Sequence, residues 1–157
     1  PWPPRRMQWS YPTSSDGDGL VNWWIYFNYW VAYDSAGKCY VKTAVVSLHL
    51  SESLPQWLPS AYDAADLASR WQTYITNLQT HEQGHKDRAK QYATDIYKGL
   101  MSYPHSGAVC SNSSSNFSAY ITVVNKWGND KVAALQQASN TYDTQTQHGV
   151  TQGAVFP

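Results

Sequence analysis

Hydrophobic and polar residues alternate along two neighbouring segments in the first third of the chain, which is the pattern of half-buried β-strands. Within residues 21–33, large side chains share one face: Trp23, Ile25, Phe27, Tyr29 and Val31. A second alternating run extends from Cys39 to about Leu50, after the polar turn Asp34-Ser35-Ala36-Gly37. This order of runs and turn predicts an antiparallel β-hairpin.

Between about Asp63 and Met101, apolar residues recur every three or four positions, and this part of the chain has no proline. Apolar residues and two histidines share one stripe at this spacing: Leu67, Trp71, Tyr74, Leu78, His81, His85, Arg88, Tyr92 and Ile96. The stripe predicts one long helix, or two helices with a bend near Gly84. It also directs both histidines toward the core.

The remaining segments predict smaller elements around this centre. Residues 1–19 contain four prolines and no hydrophobic period, so we expect an extended N-terminal arm before a single domain over residues 20–157. We expect a loop over residues 102–116, a third strand over Phe117–Val124 and a last helix over residues 129–144, capped by Asn129 or Asp130. The expected fold class is α+β, with a small antiparallel sheet packed on a long helix plus a C-terminal helix.

The amino-acid composition limits the class of protein to which the chain can belong. The 157 residues include 11 basic and 11 acidic side chains, which gives no electrostatic footprint for nucleic acid or an anionic membrane. No apolar run is long enough to insert into a membrane. A charged fraction of 14% with 15% aromatic residues favours an extracellular or periplasmic protein. The chain begins with Pro1 and shows no signal peptide, so we expect a mature or trimmed product.

The chain has two cysteines, Cys39 and Cys110, far apart in the sequence. An even pair in a charge-poor chain predicts one disulfide, which fits a secreted protein. Two buried free thiols are the alternative.

The segment His81-Glu82-Gln83-Gly84-His85 carries the candidate chemistry. Residues four apart on a helix lie one turn apart on the same face, so both imidazoles can bind one metal ion. Glu82 is rotated by about 100° from His81 and can instead accept a proton from a water on the metal. Two imidazole ligands beside a carboxylate base are typical of zinc hydrolases, in which the metal lowers the pKa of water to about 7.

A catalytic zinc ion usually has three protein ligands, so a third must come from elsewhere in the chain. Metzincins require Gly and His where this chain has Arg88 and Gln91, and that class is excluded. Gluzincins require a glutamate after the motif, but the other glutamate of the chain, Glu52, precedes it. That class is excluded as well.

The third ligand is expected to be His148, at the end of a polar helix. Asp143 and the loop residue His105 remain alternatives, and His49 is expected to be exposed on a strand. Upstream of His148, Tyr142 can stabilise an oxyanion and Asp143 can accept the free N–H of a ligand histidine.

Three segments together resemble a bacterial family of predicted secreted zinc-dependent proteases, long catalogued as a domain of unknown function. They are the helix from Trp71 through Leu78 into the histidine motif, the segment Tyr142-Asp143-Thr144-x-Thr146-x-His148-Gly149, and the β-hairpin ending near Pro55-x-Trp57. The resemblance covers roughly residues 20–150. It implies a zincin-like fold with His81, Glu82, His85 and His148 as site residues.

The expected function is therefore a secreted zinc metallopeptidase. It would bind one Zn²⁺ per chain, use Glu82 as the general base and cleave a peptide or protein substrate. The alternative is a secreted, non-catalytic module that binds peptide or carbohydrate, with a structural metal or none. Such a module would use the aromatic strand face formed by Trp24, Tyr26 and Trp30.

Overall fold

The computed structural model describes residues 5–11 as backbone and residues 19–59 and 65–155 with their side chains. Within these ranges the chain is α+β. The elements in chain order are β1 (Arg5–Tyr11), β2 (Leu20–Tyr33), β3 (Cys39–Ser53), α1 (Leu67–Met101), α2 (Ser114–Thr146) and the 3₁₀ turn Val150–Gln152.

The three strands form one antiparallel sheet in the order β1-β2-β3. The predicted hairpin is confirmed, since β2 pairs with β3 from Leu20↔Ser53 to Tyr33↔Cys39. Strand β1 lies inside the predicted N-terminal arm and pairs with β2 from Arg5↔Tyr29 to Tyr11↔Trp23. The prolines that suggested an unpaired arm lie at positions 1, 3, 4 and 12, and therefore flank β1 without interrupting it.

One face of the sheet packs against both helices. Side chains from β2 form the centre of this core: Val21, Trp23, Ile25, Phe27 and Tyr29 are all buried. Helices α1 and α2 run antiparallel, because Gly84 packs on Tyr142 while Gly99 packs on Trp127. The candidate metal motif therefore faces the C-terminal end of α2.

Helix α1 is continuous through Gly84, as the first of the two predicted alternatives requires. Its buried stripe includes Tyr74, Leu78, His81, His85 and Ile96, so the two histidines do face the interior. The helix begins at Leu67. The predicted start, Asp63, lies outside the described residues.

The predicted strand over Phe117–Val124 is wrong, because these residues belong to the first turns of α2. The helix starts after Ser113, whose side chain accepts a hydrogen bond from the backbone N–H of Asn116. Asn129 and Asp130, predicted as caps, are interior residues, and the loop ends at Ser113. Burial of Tyr120, Val124 and Gly128 follows the helical period, so packing on the core outweighs the β-forming tendency of this run.

Cys39 and Cys110 form the predicted disulfide, with Cα atoms 5.9 Å apart. The bond joins the start of β3 to the loop before α2, at the end of the fold away from the histidines. None of the helices in the described part of the chain is long and apolar enough to cross a membrane.

Candidate metal centre

Three side-chain donor atoms meet where the middle of α1 contacts the last turn of α2. The Nε2 atoms of His81 and His85 are 3.3 Å apart. Oδ1 of Asp143 lies 3.2 Å from His81 Nε2 and 2.8 Å from His85 Nε2. Within the described residues, these side chains form a group that can hold a metal ion.

The size of this triangle matches one face of a tetrahedral zinc site. Zinc binds imidazole nitrogen and carboxylate oxygen at about 2.0–2.1 Å, which places neighbouring ligands of a tetrahedron about 3.3 Å apart. Two edges of the triangle are within about 0.1 Å of this length and the third is about 0.5 Å shorter. Two imidazoles and one carboxylate also form a donor set suited to zinc, so these residues fit the metal.

His81 is oriented by groups that bind its other ring nitrogen. The amide oxygen of Gln152 lies 3.0 Å from His81 Nδ1, and Oγ1 of Thr146 lies 3.3 Å from the same atom. Because a carbonyl oxygen can only accept a hydrogen bond, Gln152 keeps a hydrogen on Nδ1 and leaves Nε2 as the atom for a metal. The 3₁₀ turn that carries Gln152 thus supports the site from behind.

His85 is held differently. Its Nδ1 atom is buried and has no hydrogen-bond partner among the described residues. The ring packs edge-on against Tyr142, with centroids 5.1 Å apart, while Nε2 contacts Asp143. Packing and the carboxylate therefore orient this imidazole.

Tyr142 contacts both histidines through its ring. It stacks nearly parallel on His81 with centroids 4.9 Å apart, and the guanidinium carbon of Arg88 lies 3.6 Å from the Tyr142 ring centroid. The hydroxyl lies 3.1 Å from Nε2 of Gln152 and packs on Gly84. It is therefore on the Nδ1 side of His81, opposite the donor triangle. This geometry makes Tyr142 a positioning residue, and its predicted oxyanion role stays a prediction.

Glu82 lies on the adjacent face of α1 and is almost completely buried, with 3% of its surface exposed. Its carboxylate contacts Gly19, the residue before β2, so closely that a Cβ atom at position 19 would collide with it. Burial raises the pKa of Glu82, and the nearby His85 and His81 oppose this rise only in part. The carboxyl is thus held in a confined place next to the donor triangle.

His148 lies at the rim of the site. Its Nδ1 is 4.0 Å from Oδ1 of Asp143, and its side chain is 45% exposed. Three successive residues, Gln147, His148 and Gly149, have φ values of 51°, 53° and 89°, which is a costly conformation for the first two. This turn reverses the chain after α2 and keeps the imidazole beside Asp143.

Two other histidines lie elsewhere. Nδ1 of His105 is 2.8 Å from Oδ2 of Asp34, and the ring stacks on Tyr40. His49 is exposed, as predicted, and packs edge-on against Tyr26. Of the candidates for a third ligand, Asp143 thus joins the histidine pair, His148 lies next to it and His105 lies outside it.

The charges of the site depend on one another. Burial lowers the pKa of His81, but hydrogen bonds with Asp143 and Gln152 outweigh this effect and raise the pKa above its ordinary value. Burial raises the pKa of Asp143, but hydrogen bonds with His81 and His85 outweigh it and hold this pKa well below its usual range. Asp143 is therefore an anion that attracts either protons or a metal cation to the two imidazoles.

Sequence reasoning missed two contributors to this site and assigned no role to a third. Gln152 belongs to no motif, and its contact with His81 spans 71 positions of the chain. Gly19 was grouped with the N-terminal arm, although its missing side chain leaves room for Glu82. Thr146 was noted only as part of the late polar segment. Each of these roles depends on tertiary contacts that have no local sequence signal.

Comparison with protein families gives one match, to a family described as "Bacterial protein of unknown function (DUF922)", over residues 5–149. The matched range runs from the first residue of β1 through the turn that contains His148. No curated protein and no solved structure matches the chain.

Proposed function

The chain belongs to this bacterial family, DUF922, whose description names no activity, and we propose from the geometry of the site that it is a secreted zinc metallopeptidase with a zincin-like fold. The observation that carries the proposal is the triangle formed by His81 Nε2, His85 Nε2 and Asp143 Oδ1, with the carboxyl of Glu82 beside it. Secretion is supported by the Cys39–Cys110 disulfide, which is compatible with an extracellular location.

The proposed ligands of one zinc ion are His81, His85 and Asp143. Asp143, expected to accept the N–H of a ligand histidine or to be the alternative third ligand, takes the second of these roles in the proposal, because its Oδ1 is at least as close to each imidazole nitrogen as these nitrogens are to each other. His148 would lie beside the ion, within reach of Asp143. Zinc in this position would polarise a scissile carbonyl and lower the pKa of a bound water.

The chain's own residues would then carry the proton transfers. Glu82 is next to His81 in sequence but on a different face of α1, so its carboxylate can contact a water on the metal without displacing a ligand. Its carboxylate accepts the proton of the attacking water and passes it to the leaving amine. Gln152 and Tyr142 keep His81 in the required orientation and tautomer.

Metal content of purified variants tests the ligand set. Elemental analysis of protein prepared without chelator should give about one zinc per wild-type chain. Asp143→Ala should lose the metal, whereas His148→Ala should retain most of it. The opposite pattern, with loss only in His148→Ala, would make His148 the third ligand. Absence of zinc after reconstitution of the wild type would contradict the metal site itself.

Activity of Glu82→Gln tests the proposed base. The variant should keep its zinc but lose at least about two orders of magnitude in kcat/KM on a mixture of fluorogenic peptides, since general-base catalysis contributes about 10²–10⁴. The adjacent, exposed Gln83→Ala variant serves as the control and should cleave at the wild-type rate. A Glu82→Gln variant of undiminished activity would refute this mechanism.

The position of His148 favours one alternative, a non-catalytic binding module with a structural metal. Nδ1 of His148 is 4.0 Å from Asp143 Oδ1, so a small movement would give the ion a fourth protein ligand and leave no place for water. X-ray absorption spectroscopy of the zinc-loaded protein separates the two functions. Three protein ligands plus a water support the peptidase, whereas four protein ligands together with absent turnover support the module.

A further inference from the structure

A second concave feature lies on the same side of α1 as Glu82. It is a cleft with a volume of about 490 Å³ between the segment Glu52–Trp57 and two residues of the first turns of α1, Trp71 and Ile75. This volume falls within the range of ligand pockets. The cleft has no part in the donor triangle.

The lining of the cleft combines polar and apolar surface, and its apolar part consists of aromatic and aliphatic side chains. The rings of Trp57 and Trp71 lie 6.3 Å apart at an angle of 50°, so they form a wedge and not a flat platform. Leu54 and Ile75 contribute aliphatic surface and, with Trp71, pack on a small buried cluster. A wedge of this kind suits a compact apolar side chain better than a flat sugar ring.

The charged residue that lines the cleft, Glu52, is already paired. Oε2 of Glu52 lies 2.7 Å from Nζ of Lys86, and both side chains are only partly exposed. Glu52 is therefore neutralised locally and does not select for a cationic side chain. This pairing favours an apolar occupant.

The cleft is aligned with the proposed base along one helix face. Ile75 and Trp71 precede Glu82 by 7 and 11 residues, or about two and three turns. At 1.5 Å per residue, these positions are about 10 and 16 Å from Glu82. An extended peptide advances about 3.3 Å per residue, so the cleft is three to five peptide residues away.

The strand side of the cleft is also continuous with the surroundings of Glu82. Glu52 pairs in register with Val21, and Gly19, two residues before Val21, covers the carboxylate of Glu82. One border between strand and helix therefore connects the base to the cleft. A peptide lying along this border would extend from the cleft to the outer side of Gly19, which covers Glu82.

We propose that the cleft formed by Trp57, Trp71, Leu54 and Ile75 is a specificity subsite that takes a large apolar side chain of a peptide substrate, three to five residues from the scissile bond. The inference rests on the proposed peptidase function, and it names the substrate class: peptides with an aromatic or large aliphatic residue at that distance.

Binding to an inactive variant tests the subsite without requiring turnover. The probes are fluorescein-labelled decapeptides of Ser and Gly with a single Phe at successive positions, and a parent without Phe. Fluorescence anisotropy with the full-length Glu82→Gln protein should show about tenfold tighter binding of Phe peptides than of the parent, because burial of part of a phenyl ring has an effect of this order.

Variants of the neighbouring residues provide the control. Adding Trp57→Ala to Glu82→Gln should remove the preference for Phe, and Trp57→Phe should restore most of it. Leu58→Ala should leave the preference intact, since Leu58 is 85% exposed and lies outside the cleft. A preference that is absent, or that survives in Trp57→Ala, would overturn the proposal. So would Trp57-dependent binding of chitohexaose in place of the peptides.

Cleavage by the wild-type enzyme is scored separately on the same peptides. Products cut three to five residues from Phe support both the subsite and the peptidase. Cleavage without regard to Phe would overturn the subsite and leave the peptidase function standing. Trp57-dependent binding with no cleavage at all would support the subsite as a peptide-binding cleft, while refuting the peptidase.

Discussion

Among single side chains outside the histidine motif, Gln152 contacts both a proposed metal ligand and the ring stacked on it. Its amide oxygen accepts from His81 Nδ1, and its amide nitrogen donates to the hydroxyl of Tyr142. One side chain therefore fixes the tautomer of a proposed ligand and the position of the ring stacked on it. Partners of this kind commonly contribute tenfold or more to metal affinity.

We expect Gln152→Ala to weaken zinc binding about 10- to 100-fold, because His81 would lose the acceptor that orients it. Competition with a chromophoric chelator measures the affinity. The exposed Gln79→Ala variant on α1 is the matched control and should bind zinc like the wild type. Equal affinities for all three proteins would show that Gln152 does not support the site.

The raised pKa of His81 predicts a pH dependence of stability in chelator-treated protein. A raised folded-state pKa contributes stability that is fully present below the unfolded value of about 6.5 and is lost as the pH rises through the folded value. Burial raises the pKa of Glu82 as well, which acts in the same direction. Asp143, whose pKa is lowered, stays ionised from pH 6 to 8 and adds no slope there.

The melting temperature of the metal-free protein should therefore fall between pH 6 and pH 8. His81→Gln should flatten this dependence, and replacement of the exposed His49 by Gln should preserve it. Differential scanning calorimetry across this range makes the comparison. A melting temperature that rises with pH would contradict the assigned shifts.

The residues of the candidate site differ in how well their positions can be predicted from the sequence. His81, Glu82 and His85 follow from one helical turn, so their proximity is predictable from spacing alone. The relation of Asp143 and His148 to that pair depends on where α2 ends and on three left-handed residues after it. No spacing rule supplies that geometry.

Among the secondary-structure elements, prediction succeeded where the hydrophobic period and the local propensity agree. The β2–β3 hairpin and helix α1 are such cases. The first turns of α2 are the opposite case, because Ile121, Thr122, Val123 and Val124 favour a strand locally. Burial of Ile121 and Val124 in the core selects the helix, while Thr122 and Val123 face outward. Strand β1 was not predicted, because the prolines on either side of it suggested an unpaired arm.

The contact between α2 and the sheet requires Gly128. A Cβ atom there would lie 2.8 Å from Cε2 of Phe27 and would press on the ring of a fully buried side chain. We expect Gly128→Ala to lower the free energy of unfolding by about 1–3 kcal/mol, as overpacking does. Urea denaturation measures this change.

Gly107→Ala is the control, because nothing lies within 4 Å of a Cβ atom at that position. It should change stability by less than about 0.5 kcal/mol. Alanine has the higher helix propensity, worth about 1 kcal/mol. A Gly128→Ala variant that is more stable than the wild type would therefore show that α2 does not approach Phe27 so closely.

Across the molecule as a whole, the disulfide ties the sheet to the start of α2 and encloses α1. Cys39 and Cys110 are separated by 71 positions. In the chain-entropy model, closing a loop of this length stabilises the fold by about 4 kcal/mol. The Cys39→Ser/Cys110→Ser variant should lose roughly this amount of unfolding free energy, measured by urea denaturation at pH 7. An unchanged transition midpoint would exclude a structural role for the bond.

At this scale the sequence predicted the α+β class, the disulfide and the position of a long helix under a small sheet. It did not predict that the two helices run antiparallel side by side. That arrangement depends on close approach at Gly84 and Gly99, which have ordinary helical neighbours in the sequence. It also brings the last turn of α2 to the histidines.

The order of the donor residues along the chain has a consequence for biosynthesis. His81 and His85 leave the ribosome about 60 residues before Asp143, and Gln152 follows later still. A nascent chain therefore carries the histidine helix long before the carboxylate that completes the triangle can fold against it. The proposed peptidase would stay inert during its own synthesis, because the site closes only after the second helix has docked.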